Sequence, residues 1–72
     1  MDKRLASSFK EHAERAIAEL SSALIIAQKS SDEAEFKRVQ KSFGEIIAAI
    51  DATLFNAVYI DHPDLNDLRK ST

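Results

Sequence analysis

Across 72 residues the chain has a single glycine, Gly44, and a single proline, Pro63. Glycine and proline are the strongest local breakers of regular structure, so long stretches are left with nothing to interrupt them. Those stretches are rich in Ala, Leu, Ile, Glu, Lys and Arg, which lose little on entering a helix. Helix is the expected state over nearly the whole chain. Two polar interruptions remain, Ser30-Ser31-Asp32 and Asp61-His62-Pro63. They set an antiparallel helical hairpin over residues 1–61, with helix 1 over about 2–29, a turn at 30–32 and helix 2 over about 32–60. Residues 62–72 form a C-terminal tail. Ser30 with Glu33, or Asp32 with Glu35, has the spacing of a capping box and marks the start of helix 2. Pro63 suits the first position of a short helical turn, with Asp61 or His62 as its cap and Asp64 near its positive end.

The faces of the two helices differ in size. In helix 1, Ala6, Phe9, Ala13, Ala16, Leu20, Ala23 and Ala27 recur at alternating spacings of three and four, and Ile17 and Leu24 widen the stripe. In helix 2 the same spacing carries Phe36, Val39, Phe43, Ile46, Ile50, Thr53, Ala57 and Ile60, widened by Ile47 and Leu54. A small, alanine-lined face against one bearing Phe and Ile permits close approach, and a connection this short makes the helices antiparallel. Gly44 falls inside helix 2. It is either tolerated on a polar flank or marks a close helix crossing, including one with a second subunit.

Length then argues for a partner. A single core is marginal at this size, and with no cysteines the chain has neither disulfides nor thiolate metal sites to reinforce it. Stripes this broad also leave apolar surface at the edges of a two-helix contact. Pairing of two hairpins into a dimeric four-helix bundle covers that surface and couples folding to association. Ile25 and Ile26 point away from the helix 1 stripe, while Ala48, Ala52, Phe55 and Tyr59 form a second line on helix 2. The self- or partner-interface expected from this pattern is Ile25, Ile26, Phe55, Val58 and Tyr59. Two coverings compete for the aromatic pair: Leu65 and Leu68 of the tail folding back, or another chain.

Residues that could carry chemistry are sparse. His12 lies between Glu11 and Glu14 without a second histidine at helical spacing, which makes a solvated rim residue the expectation. Asp61, His62, Asp64 and Asp67 are the densest group of potential ligands, yet they fit a helix start and lack the glycine and spacing of a calcium loop. Glu11, Glu14, Glu19, Glu33, Glu35, Glu45 and Asp51 fall mostly off the stripes, with no pair held apart in an apolar pocket as acid–base work requires. One glycine cannot make a phosphate-cradling loop. Hence no catalytic, metal-binding or cofactor-binding residue is expected, and no enzyme.

Partners follow from charge and hydropathy. Ten basic and twelve acidic residues are interspersed, for a net charge of −2, which disfavours nucleic acid and anionic membranes. Lys37, Arg38 and Lys41 are the one candidate nucleic-acid contact, diluted by Asp32, Glu33 and Glu35. The longest apolar runs, 23–27 and 46–50, are far below a membrane span, and residues 1–10 have no signal-like apolar stretch. The expectation is a soluble cytoplasmic homodimer that acts as a protein-interaction module of adaptor, chaperone-like or inhibitor type. A purely structural oligomer and a small nucleic-acid regulator are the alternatives.

Overall fold

The computed structural model describes residues 1–66. Helix α1 spans Lys3–Ser30 and helix α2 spans Glu33–Leu54; α2 then continues through a π-helical turn, Phe55–Tyr59, and a 3-10 turn follows at Pro63–Leu65. The described residues form an all-α helical hairpin. Its Cα extents are 44 × 22 × 16 Å, a slab rather than a ball.

Local chemistry accounts for the helix boundaries. Asp2 caps α1 by accepting a 2.9 Å hydrogen bond from the Leu5 amide, which satisfies one of the amides that no helical carbonyl reaches. At the other end the Ser31 amide donates to the Ala27 carbonyl and the Ser30 hydroxyl to the Ile26 carbonyl. Of the two candidate boxes, the one formed is Asp32 with Glu35. The Glu35 amide donates to Asp32 Oδ1 at 2.8 Å, and the Asp32 amide returns a longer bond, 3.4 Å, to Glu35 Oε1. The N-cap of α2, Asp32, follows Ser30 at the end of α1 by only two residues, which leaves the chain no room except to reverse.

The contact between the helices is rotated from the expected stripes. The less exposed residues of α1 are Ala6, Lys10, Ala13, Ile17, Leu20, Leu24 and Ala27, and those of α2 are Phe36, Val39, Phe43, Ile47, Ile50 and Leu54. Ile17, Leu24, Ile47 and Leu54, which had only widened the stripes, sit at the seam; Phe9, Ala16, Ala23, Ile46, Thr53 and Ile60 do not. At 100° per residue the shift is about 40° on each helix. It has a simple cause: a single neighbouring helix covers only part of a broad stripe, and the seam forms where the larger aliphatic residues of α1 meet those of α2. Lys10 joins the seam by laying its stem along it while its ammonium reaches Glu14 at 3.0 Å.

Among the described residues only Ala6, Leu54 and Val58 are buried, with Ala13, Ile50, Ala57, Tyr59 and Leu65 packed around them. Val58, one of the residues expected at an interface, is 0% exposed and belongs to the chain's own core. The π-helical turn is the reason. The Ile60 amide reaches back five residues to the Phe55 carbonyl, at 3.2 Å, and the wider turn advances the side chains by less than 100° per residue. Val58 is thereby brought above Leu54, on the seam, where a regular helix would have set it on the outer flank. Gly44 has open space around it, with nothing within 4 Å of where a Cβ would stand; no close crossing within the hairpin explains it.

Candidate functional site: an apolar groove along one face of the hairpin

Because the seam takes one half of each stripe, the other half is displayed. The two displayed halves lie on the same side of the slab, since the antiparallel helices are rotated in mirror sense. They form an open groove of about 350 Å³. Helix α1 contributes Phe9, Ala13 and Ala16, and α2 contributes Ile46, Ala49, Ile50 and Thr53. Among the described residues no charged side chain lines it. Phe9 and Ile46 remain 39% and 44% exposed, large apolar groups left half in water. Leu5, also exposed, continues the same face toward the open end of the hairpin.

The expected interface residues lie elsewhere. Ile25 and Ile26 are exposed near the turn end of α1, and Phe55, 57% exposed, is on α2 near the open end. Ile25 and Phe55 fall on the side of the slab opposite the groove, and the length of the hairpin separates them. Tyr59 is half-buried against the core, beside Leu65. Leu65 thus folds back onto the hairpin, as one of the two coverings required, but it does not cover Phe55. Leu68 lies outside the described residues.

The polar candidates are accounted for by local partners. Lys37 pairs with Glu33 at 3.2 Å, and Arg38 and Lys41 are exposed on α2. His12 is exposed on α1, flanked by an Arg15–Glu11 pair at 2.7 Å and the Lys10–Glu14 pair. His62 stands at the cap position of the 3-10 turn without capping it; its Nε2 instead meets the Met1 carbonyl oxygen at 3.0 Å. Asp64 pairs with Lys3. The Asp-His-Pro-Asp segment therefore ties the end of α2 to the start of α1. Among the described residues no three His, Asp or Glu side chains gather as a metal site, and Asp67 lies outside them. No helix among the described residues is long and apolar enough to cross a membrane.

Sequence reasoning named every groove residue except Ala49, but as buried stripe rather than as surface. The width of the stripes implies that some apolar surface stays uncovered, since one neighbour cannot cover both halves, but it does not say which half. No protein-family model, curated protein or solved structure matches the chain.

Proposed function

We propose that this chain is a protein-interaction module that binds through apolar helix surface and performs no reaction of its own. The observation that carries the reading is the groove between Phe9 and Ile46, apolar along its length, beside a core with only three buried residues among those described. Uncovered apolar surface of this kind marks a site where another protein docks, and a groove between two helices fits the face of a third. The exposed Ile25, Ile26 and Phe55 lie apart from the groove, and the length of the hairpin separates the isoleucines from the phenylalanine. The dispersed carboxylates and histidines supply no arrangement that would favour an enzyme, and the Lys37, Arg38 and Lys41 group is too diluted to favour nucleic acid.

Photo-crosslinking in the cell from a probe at Ala49 tests the reading, with a probe at Lys37 as the control. The expected result is a protein adduct, identified by mass spectrometry, that forms from position 49 and is lost when Phe9→Lys is added. Absence of any protein adduct from position 49, or an adduct with nucleic acid in its place, overturns it.

A further inference from the structure

We infer that the occupant of the groove is a second copy of this chain, joined face to face about a two-fold axis, so that Phe9 and Ile46 become the centre of a four-helix bundle. This rests on the groove being a protein-binding surface and names what fills it. The face opposite, with Ile25 and Phe55, stays outside the bundle.

Three observations converge on a copy rather than an unrelated helix. First, the groove takes its lining from both helices, three residues from α1 and four from α2, where the displayed halves of the stripes border the halves that make the hairpin seam. In a four-helix bundle every helix has two neighbours, and a stripe split between two contacts is what each then needs. Second, the groove matches itself in shape. With the chain reversing at Ser31 and equal rise along both helices, Phe9 lies level with Thr53, Ala13 with Ala49 and Ala16 with Ile46. Large and small residues therefore alternate across the groove and along it. A two-fold rotation about an axis across the helices sets Phe9 on the copy's Ala16 and Ile46 on its Thr53. A rotation about an axis along the helices sets Phe9 on the copy's Thr53 and Ala16 on its Ile46. Either sense places bulk on hollow, the condition for interdigitation at a self-complementary interface. Third, the size is right. The 44 × 22 Å outline of the hairpin leaves room for the ~800 Å² per partner that a stable specific interface buries.

The absence of cysteine lets single thiols report the contact. Purified chain at micromolar concentration is expected to sediment at twice the chain mass. Ile46→Lys and Phe9→Lys are expected to sediment as single chains, while Ile25→Lys and Phe55→Lys remain double. Should the groove variants lose helicity as well, proximity decides. A short bis-maleimide is expected to join Ala49→Cys chains to one another when the axis runs across the helices, or an equal mixture of Ala13→Cys and Ala49→Cys chains when it runs along them. A wild-type chain that is fully helical and single at these concentrations overturns the inference. So does a dimer that Phe55→Lys breaks and Ile46→Lys leaves intact, or thiols that crosslink in neither arrangement. A single helical chain whose position 49 still captures a different protein in the cell leaves the interaction reading standing and removes only the second copy.

Discussion

Val58 lies over Leu54 in the same small core as Ala6, near the start of α1, and all three are closed to solvent. That contact closes the open end of the hairpin, and it depends on the π-helical turn that carries Val58 onto the seam. Truncating Val58 removes packing that nothing nearby replaces, whereas Phe55, three residues earlier, faces water. Val58→Ala is expected to cost about 2 kcal/mol and Phe55→Ala to stay within about 0.5 kcal/mol. Urea unfolding of both variants at one fixed chain concentration checks the contrast; a larger loss at Phe55 would place that ring in an interface.

Asp32 and Glu35 exchange side chain-to-backbone bonds at the start of α2. Both residues are exposed, so the effect of removing the cap is not mixed with lost packing. Asp32→Ala is expected to destabilise by about 1 kcal/mol, with Glu33→Ala as the near-neutral comparison. Thermal unfolding followed by helical signal gives both values.

Gly44 is a helical glycine with open space where a side chain would stand. At 100° per residue it lies on the far side of α2 from Ile46 and so outside the groove. Gly44→Ala is expected to raise stability by up to about 1 kcal/mol and to leave the solution mass unchanged. A variant that dissociates would instead put Gly44 in a close crossing between subunits.

The helices were legible in the sequence because their limits are set by near neighbours. Asp2, Asp32, Glu35 and the scarcity of Gly and Pro act within a turn or two, and the expected boundaries fall within about two residues at three of the four helix ends, α2 passing into its π-helical turn before residue 60. The orientation of the seam was not. Whether Ile17 or Phe9 meets α2 depends on which half of a wide stripe the other helix covers, and the spacing of apolar residues is compatible with both. Val58 was illegible for a different reason, since a wheel drawn at one fixed angle per residue cannot anticipate a turn that changes the angle. His62 likewise reads as a cap in sequence, and only the return of the chain to Met1 shows another use for its imidazole.

A second copy in the groove links association to folding. The thermal midpoint of purified chain is then measured over a hundredfold range of concentration. A dimer that unfolds to separate chains becomes more stable as concentration rises, so the midpoint is expected to climb steadily for the wild type and for Phe55→Lys. Ile46→Lys is expected to start lower and not to climb. A wild-type midpoint that is the same at every concentration would contradict the claim.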